Sequence, residues 1–282
     1  METKTVTVYE PDRQLKMGFL AQWREMFVGL FASRELVWRL FLRDFRAKYA
    51  QSVLGISWAL INPLVATGLF AYLNSAGVMR ISSTGVPYVV FAVVGLTIWN
   101  IFAVGIAAGT NSILSAGTMV TKINFPKVSL VFASMGQSII ELFVRVGLAV
   151  VVMVIFRVLP TWTVLFVPLA IVPLILLTMG LSLILALLAG LFRDFVNVVT
   201  LATTFLMFLV PVLYPAPKGG IAGRLFAWNP LAQLIVGPRD LALYGGLSNP
   251  TGFIWSSVFA VAVFLILWRI FHLAETLLSE RI

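Results

Sequence analysis

One stretch of sequence decides the fold: LVWRLFLRDFRAKYAQSVLGISWALINP, from Leu36 to Pro63, whose two halves suit different solvents. The first half belongs to a predicted helix over residues 35–51, in which arginines fill one side and apolar or aromatic residues fill the other. Helices with this pattern lie on membrane surfaces. After Lys48 no charged residue occurs until Arg80. A bilayer crossing needs about 20 mainly apolar residues, and this uncharged stretch contains them. We therefore predict a surface helix, a turn at Gly55 and then a membrane span.

The rest of the chain is also suited to a membrane. Of its 282 residues, 60% are hydrophobic and 11% are charged, which is far from the averages of soluble domains. We predict an all-α integral membrane protein with six transmembrane helices, between a cytosolic N-terminal tail of residues 1–30 and a cytosolic C-terminal tail of residues 276–282. The predicted spans are Val53 to Leu73, Val86 to Ala108, Ser129 to Phe156, Leu165 to Leu191, Phe195 to Val212 and Phe253 to Phe271.

The basic residues predict the orientation. Nine of the 20 lysines and arginines precede the first span, and such residues usually mark the cytosolic side. Six crossings give the predicted cytosolic segments fourteen bases and the outside five, and both termini are then cytosolic. The net charge of +9 is thus explained by a plasma membrane location and anionic lipids rather than by nucleic acid. The five bases assigned to the outside are Arg80, Arg157, Lys218, Arg224 and Arg239.

Two connections differ from plain loops. The segment Ser115 to Lys127 is short, mixed and basic, and Pro126 ends any helix just before the third span, so we predict a short cytosolic helix here. Tyr214 to Thr251, between the fifth and sixth spans, contains five prolines. Its apolar part, Leu225 to Val236, is too short to cross a bilayer. We predict that it dips into the outer leaflet as a broken, re-entrant helix.

Polar side chains inside the predicted spans are candidate functional residues. In the third span Glu141 and Arg145 form an i, i+4 pair in the favoured order, and charges within a bilayer normally face protein or water. They either line a polar conduit or subunit interface, or form an internal ion pair that locks two helices together. The candidate conduit or interface residues are Trp99, Asn100, Phe102, Gln137, Glu141, Arg145, Thr200 and Thr204.

The aromatic and threonine candidates have structural alternatives. The rings of Trp99 and Phe102 could stack on the C–H faces of sugars, whereas packing against lipid or other helices is the other explanation. Thr200 and Thr204 could face a conduit, but threonines in membrane helices usually donate hydrogen bonds to their own backbone.

The sequence offers few groups for catalysis or nucleotide binding. It contains no cysteine, and its one histidine, His272, has no acidic cluster beside it. A P-loop is absent, because Gly105-Ile-Ala-Ala-Gly109 lacks the lysine and is instead a small-residue pattern for helix packing. We predict no metal site, no bound cofactor and no enzymatic activity, so that uphill transport needs an ion gradient or another subunit.

The entry to the first span resembles that of the ABC-2 type permeases that export polysaccharides, and the resemblance extends over residues 31–275. It implies a homodimer of six-span subunits with two copies of a separate cytosolic ATPase, which uses ATP and Mg²⁺. The implied substrate is an undecaprenyl-linked O-antigen, capsular polysaccharide or teichoic acid, exported across the plasma membrane, which is the inner membrane in many bacteria. The shared pattern is Arg43-Asp44 … Tyr49 … Ser52 … Gly55 … Trp58 … Asn62-Pro63.

The resemblance also implies roles for particular segments. The helix over residues 35–51 matches an interface helix, Ser115 to Lys127 matches a coupling helix, and Arg193 to Phe195 matches an Arg-Asp-Phe motif after the fourth span. The bases of the interface helix could also attract the pyrophosphate of the carrier, or bind anionic membrane lipids. The residues implied in coupling to the ATPase are Arg39, Arg43, Arg46, Lys48, Lys122, Lys127, Arg193 and Asp194.

Three other functions remain open on the sequence alone. An ABC-2 permease for drugs or lipids would have the same architecture. A membrane-embedded transferase of lipid-linked sugars would need an acidic or histidine cluster near the interface, where the sequence offers Glu141 without neighbours. An ion-coupled carrier or channel usually has more ionisable groups inside the membrane than one carboxylate and one arginine.

Overall fold

The computed structural model describes residues 18–50, 52–77, 84–117, 119, 125–217 and 219–281. Over these residues the chain is all-helical, which confirms the predicted class, and short 3₁₀ turns at Gly55–Ser57 and Trp162–Phe166 precede two of the helices. The α-helices are α1 (Phe19–Ala32), α2 (Arg34–Tyr49), α3 (Trp58–Ser75), α4 (Tyr88–Ala116), α5 (Val128–Ile155), α6 (Val167–Leu191), α7 (Phe195–Leu209), α8 (Gly220–Trp228), α9 (Pro230–Leu243) and α10 (Pro250–Arg281).

Among the described residues, five helical stretches are long and apolar enough to cross a bilayer. They correspond to five of the six predicted spans and make the chain a multi-pass membrane protein. The remaining predicted span, Phe195 to Val212, is the fifth in chain order and contains α7, whose 15 residues extend only roughly 22 Å, against about 30 Å for a hydrocarbon core. A sixth crossing is therefore not confirmed. The five stretches are Gly55–Ser75, Tyr88–Ala116, Val128–Ile155, Trp162–Leu191 and Pro250–Glu275.

Helix α7 ends early because of the proline that follows it. Pro211 disfavours a helical conformation at Val210, whose φ of −101° and ψ of 135° are extended. The chain then continues as a buried, non-helical segment. Its carbonyl groups are satisfied from other helices: the Arg239 guanidinium donates to Pro211 O at 2.6 Å, and the Tyr88 hydroxyl donates to Leu213 O at 3.0 Å.

Helix α4 is the centre of the bundle, and it packs closely against α5 and α6. Its Gly105 and Gly109 face Thr178 and Ser182 of α6, as the small-residue pattern predicted. An ideal Cβ at Gly105 would lie 2.6 Å from Thr178 Cγ2. The Ser182 hydroxyl donates to Gly105 O at 3.4 Å, across the same interface. The absence of side chains on one α4 face thus sets the α4–α6 distance.

The chain beyond the predicted second span corrects one expectation. Ser115 belongs to α4, which continues to Ala116, because the polar side chains of its last turns bond to their own backbone; Ser115 Oγ, for example, donates to Ser112 O at 3.0 Å. Gly117, with a φ of 52°, ends the helix. Six of the 13 residues of the predicted cytosolic helix, including Lys122, lie outside the described residues, so that helix stays a prediction.

Two predicted tails are partly helical. Within residues 1–30, which we predicted as a cytosolic tail, residues from Phe19 onward form α1. The apolar side of α1 packs on the last span, where the Phe27 and Trp268 ring centroids are 4.9 Å apart. At the other end of the chain, α10 continues as far as Arg281, through most of the predicted C-terminal tail. Residues 1–17 lie outside the described part of the chain.

The predicted re-entrant segment consists of two helices, α8 and α9. Asn229, which precedes Pro230, is extended, and its side chain accepts a hydrogen bond from Ala232 N at 3.2 Å, so one helix ends and the next begins here. Leu225 to Val236 therefore contains a break, as predicted. Helix α9 is buried along nearly its whole length against α4, α6 and α10. Its re-entrant position in a membrane stays a prediction.

The close contact between α4 and α6 gives a first test. We expect Gly109→Ala to destabilise the protein by about 1–3 kcal/mol, because the added methyl group has no space beside Ser182. The matched control is Gly147→Ala in α5, where an added Cβ would meet no described atom within 4 Å apart from its chain neighbours and its own helix backbone. Helix propensity favours alanine at both sites. Thermal unfolding in detergent should show a lower Tm for Gly109→Ala alone; equal effects of the two substitutions would contradict the close packing.

Candidate functional site at the junction of the basic helix and the third span

Helix α2 lies at the position of the predicted interface helix, but its burial follows the predicted apolar side only in part, because Trp38 of that side is 59% exposed. Leu40 and Phe41 are buried, whereas Arg39 and Arg46 are exposed. The Phe41 ring covers Gly136 of α5, where an ideal Cβ would lie 2.5 Å from a ring carbon. The apolar side of α2 thus packs on this chain's own third span, and its position on a membrane surface stays a prediction.

A buried carboxylate joins α2 to α5. Glu141 of α5 lies with its Oε1 2.7 Å from Lys48 Nζ of α2 and its Oε2 3.0 Å from Arg145 Nη2. The Glu141 and Arg145 side chains are 6% and 5% exposed, while that of Lys48 is 41% exposed. A buried charge is costly unless it is paired, so this carboxylate needs a buried counter-charge, which Arg145 supplies, and Lys48 adds a second cation. We call Lys48, Glu141 and Arg145 the charge triad.

Tyr49 adds a fourth group to this junction. Its hydroxyl donates to Glu141 Oε1 at 3.4 Å. Burial, followed by the charge of Glu141, raises the pKa of Tyr49 to about 12. The hydroxyl therefore stays protonated at physiological pH and remains a donor to the carboxylate. Three residues of two helices thus hold Glu141 in one position.

A cleft of about 690 Å³ lies beside the charge triad, between α2, α4 and α5. Its α4 wall consists mainly of small residues such as Ala103 and Ala107. One of its polar groups, Ser112 Oγ, is buried and has no hydrogen-bond partner among the residues that the structure describes. The charged and polar residues that line the cleft include Arg43, Asp44, Lys48, Asn111, Ser112 and Gln137. We call this space the α2–α4–α5 cleft.

Two other bases of α2, Arg39 and Arg43, form ion pairs within the helix. Arg39 Nη2 lies 2.6 Å from Glu35 Oε1, and both side chains are more than 70% exposed. Arg43 Nη2 lies 2.8 Å from Asp44 Oδ1, in the wall of the cleft. Among the predicted coupling residues of α2, Lys48 is thus the one that contacts a membrane-spanning helix through its charge.

The remaining predicted coupling residues lie at the ends of other helices. Lys127 is buried at the start of α5, its backbone N–H donates to Glu275 Oε1, and burial lowers its pKa, an effect that the charge of Glu275 partly offsets. Arg193 and Asp194 are exposed in the three-residue turn between α6 and α7. The predicted tight turn is present.

The structure does not bring the aromatic and threonine candidates to the charge triad. Trp99 and Phe102 are 3% and 4% exposed and lie in the core, with their ring centroids 5.5 Å apart. Asn100 Nδ2 donates to Leu96 O at 2.6 Å. In this arrangement both rings pack between helices and are covered, so their role in a conduit stays a prediction.

The two threonines of α7 bond to their own helix. Thr200 Oγ1 donates to Val196 O at 2.8 Å and Thr204 Oγ1 donates to Thr200 O at 2.9 Å, while both side chains are exposed. The backbone alternative therefore describes their hydrogen bonds. Gln137, by contrast, lines the same cleft as Lys48.

Sequence reasoning missed a second buried charge. Arg239, which the charge count assigns to the outside, lies in α9 and is 2% exposed, and its guanidinium carbon is 4.2 Å from the centroid of the Phe91 ring. Its partner Asp240 accepts a hydrogen bond from the Ser248 hydroxyl, and Arg239 Nε is 3.8 Å from Asp240 Oδ1. The signal was an Arg-Asp pair inside an apolar helix, where charges are kept only if they are paired.

These positions can now be compared with known proteins. A family model described as "ABC-2 type transporter" matches residues 35–242. The chain belongs to the ABC-2 type transporter family. The matched region begins with α2 and ends in α9, so it contains both the charge triad and the α2–α4–α5 cleft.

Curated relatives of this ABC-2 chain have similar lengths. The O-antigen export system permease protein RfbA of Myxococcus xanthus is 28% identical over 209 residues, which cover 73% of this chain and 79% of the relative. Two proteins of the same name from Klebsiella pneumoniae are 26% and 24% identical over 211 and 234 residues. These matches cover 73% and 79% of this chain and 79% and 88% of the relatives.

The charge triad predicts an order of stabilities. Glu141→Gln leaves Arg145 buried without its counter-charge, so we expect a loss of about 3–5 kcal/mol. Lys48→Gln should cost at most about 1 kcal/mol, because Lys48 is partly exposed and Arg145 still holds the carboxylate.

The double variant Glu141→Gln/Arg145→Gln is the control, since it removes a buried positive and a buried negative charge together. It should recover much of the stability that Glu141→Gln loses. Thermal unfolding in detergent gives the three Tm values. Equal losses for Glu141→Gln and Lys48→Gln, or a double variant less stable than Glu141→Gln, would contradict this description of the triad.

Proposed function

We propose that this chain is the permease subunit of an ATP-driven exporter, which moves a lipid-linked polysaccharide from the cytosolic side across the plasma membrane. The observation that carries the proposal is the family match over residues 35–242, together with three relatives that are named O-antigen export permeases. The five candidate spans support a transport role, because they provide a membrane-embedded body. The substrate class is an O-antigen-like, capsular or teichoic acid polymer on an undecaprenyl carrier.

The energy source in this proposal is a separate cytosolic ATPase. The sequence contains no P-loop, so ATP and Mg²⁺ would be bound by the partner, with two ATPase copies on a homodimer of this chain. The basic residues of α2 and the Arg193–Asp194 turn are the groups proposed to meet the ATPase. Both termini would then be cytosolic, in what is the inner membrane of a bacterium with two membranes.

The proposed sixth crossing combines two structures. Helix α7 would cross most of the bilayer, and the buried extended segment from Val210 to Leu213 would complete the crossing. This use of non-helical backbone is compatible with a membrane, because protein groups surround it and donors from Arg239 and Tyr88 satisfy its carbonyls. Helices α8 and α9 would follow as the re-entrant pair on the outer side.

The proposed mechanism uses α2 as a lever. Closure of the ATPase dimer would push on the exposed basic side of α2 and on the turn after α6. Because Lys48 and Phe41 connect α2 to α5, this movement would be transmitted to the third span and would rock the permease halves apart along their seam. A lipid-linked glycan would enter from the cytosolic leaflet near the bases of α2, whose charge favours a pyrophosphate.

The function is tested by purification and by ATPase measurements. We expect the chain to copurify with a protein that contains a P-loop, and the reconstituted complex to hydrolyse ATP faster when a lipid-linked glycan is added. Replacing Arg39, Arg43 and Arg46 by glutamine should lower this stimulation more than basal hydrolysis, by roughly tenfold if charge-assisted contacts to the pyrophosphate are lost.

The control variant replaces Arg157 and Arg224, two exposed bases assigned to the outer side, and should keep the stimulation. Glycan movement by the chain without any ATPase would contradict the proposal. Stimulation by a drug or a simple lipid, but not by the glycan, would favour a different ABC-2 permease. Equal loss of basal and stimulated hydrolysis in the arginine variant would assign these bases to assembly.

A further inference from the structure

The charge triad carries one more positive than negative charge, and the excess faces the α2–α4–α5 cleft. Glu141 compensates one of its two cations, Lys48 and Arg145. The other charged residues that line the cleft, Arg43 and Asp44, form a pair 2.8 Å apart and cancel each other. The cleft and the triad together therefore have a net charge of +1, which favours an anion in the cleft.

The two cations of the triad are not equivalent. The Arg145 side chain is 5% exposed and is anchored on the same helix as Glu141, so it cannot leave the carboxylate without burying an unpaired charge. The Lys48 side chain is 41% exposed and lines the cleft. Lys48 can therefore turn away from Glu141 while Arg145 continues to neutralise the carboxylate. Lysine suits such an exchange, because its ammonium group is a point charge on a flexible stem.

A second observation indicates a ligand in this cleft. Ser112 is 4% exposed, lines the cleft, and its Oγ has no hydrogen-bond partner in the described part of the chain. Buried polar atoms without partners are rare in folded proteins. The cleft, at about 690 Å³, has the size of a small-molecule site rather than of a packing defect. The cleft thus contains an exchangeable cation, and Ser112 in its wall has a buried hydroxyl group that has no partner among the described residues.

We propose that the α2–α4–α5 cleft binds a phosphate group, and that the bound phosphate takes Lys48 from Glu141. Phosphate offers several strong acceptor oxygens to one ammonium group and to nearby neutral donors, of which Ser112 is one. Occupation of the cleft then breaks the charged contact between α2 and α5 and leaves the Glu141–Arg145 pair in place. The inference deepens the proposed function and rests on it for the meaning of the switch, because α2 is the proposed lever.

Phosphate binding in the cleft would link the presence of substrate to the attachment of α2. While the cleft is empty, Lys48 ties α2 to the third span through Glu141. When phosphate occupies the cleft, α2 is attached to α5 by its apolar contacts, such as Phe41 on Gly136, and moves more easily. The substrate's own headgroup would thus remove the charged contact that holds α2 in its resting position, while the apolar contacts of Phe41 continue to transmit the ATPase stroke to the third span.

The test measures binding to the full chain in the assembly in which it purifies, reconstituted into nanodiscs of phosphatidylcholine. Two probes are titrated by calorimetry: inorganic pyrophosphate, which represents a free phosphate, and farnesyl diphosphate, which represents a phosphate on an isoprenoid lipid. Binding of either probe with the variant pattern described next supports the proposal, and the probe that binds more tightly identifies the source. Binding of neither probe overturns the proposal.

Three substitutions decide whether Lys48 is exchanged. Lys48→Gln should weaken binding by about tenfold or more, because a charge-assisted contact is lost. The matched control, Arg34→Gln, removes an exposed base of the same helix that does not line the cleft, and should leave binding unchanged. Glu141→Gln/Arg145→Gln keeps the net charge of the triad but frees Lys48, so it should bind about two- to fivefold more tightly than the native chain.

Opposite signs for Lys48→Gln and the double variant are the signature of competition for Lys48. If Lys48 served only to hold the helices together, both variants would weaken binding or leave it unchanged, and the proposal would be overturned. Should the double variant fail to fold, Glu141→Asp replaces it: its carboxylate is one methylene further from Lys48 but stays paired with Arg145, and tighter binding is again expected.

The outcome is separable from that of the proposed function. A chain that binds phosphate in this pattern, but neither copurifies with an ATPase nor exports glycan, would contradict the proposed function and retain the phosphate site. A chain that exports glycan with an ATPase, but shows no effect of Lys48→Gln on binding of either probe, would contradict the phosphate site alone.

Discussion

The fold of the basic end depends on one electrostatic constraint, which is that a carboxylate inside a membrane-spanning helix must be neutralised. Glu141 meets this requirement with one cation from its own helix and one from α2. Arg145 can pair with Glu141 without bringing in a second helix, since it is four residues further along α5 and is as buried as the carboxylate. The lysine has a different effect, because it fixes a separate helix to the span. A local requirement for charge balance thus becomes a connection between two elements.

The opposite end of the bundle is organised by a similar requirement. The extended segment after α7 has carbonyl groups that cannot accept the regular backbone hydrogen bonds of a helix. Side chains of Arg239 and Tyr88 donate to two of these carbonyl groups. Arg239 is in turn held by Asp240 and by the face of Phe91. Each end of the molecule therefore has one buried arginine next to one carboxylate. Between them, the small-residue contact of α4 with α6 needs no charge, because shape alone fixes it.

Much of this architecture could be predicted from the sequence. Hydropathy gives the long helices and the first turn: Gly55 has the positive φ of 50° expected for a turn between α2 and α3. The pairing of Glu141 with Arg145 follows from their spacing, and the break before Pro230 follows from proline chemistry. Contacts between segments that are distant in the chain could not be predicted from the sequence. Lys48 is 93 residues from Glu141 in the chain, and no periodicity indicates that its ammonium group reaches the third span.

The burial of Arg239 is indicated by the sequence only in part, through the Arg-Asp pair in an apolar segment. An arginine beside proline-rich sequence is typical of a loop, and only the packing of α9 against α4 and α10 makes this one a core residue. For the aromatic pair Trp99 and Phe102, the sequence allowed both stacking on sugars and packing between helices. The same aromatic faces suit both roles, so residue type alone does not distinguish them. Pairs within one helix, such as Glu141 and Arg145, can be predicted from the sequence. The partners of charged residues such as Lys48 and Arg239 depend on the tertiary structure.

The carboxylate of Glu141 thus holds α2 against the third span through Lys48. The most direct test is the distance distribution between spin labels on introduced cysteines at Ala47 and Phe143, two exposed positions in a chain without native cysteine. Measurements by pulsed electron resonance, with labelled chains diluted among unlabelled ones, should give one narrow distance in the otherwise native protein and a broader distribution after Lys48→Gln. Identical distributions in the two proteins would show that the charge contact does not hold the helix.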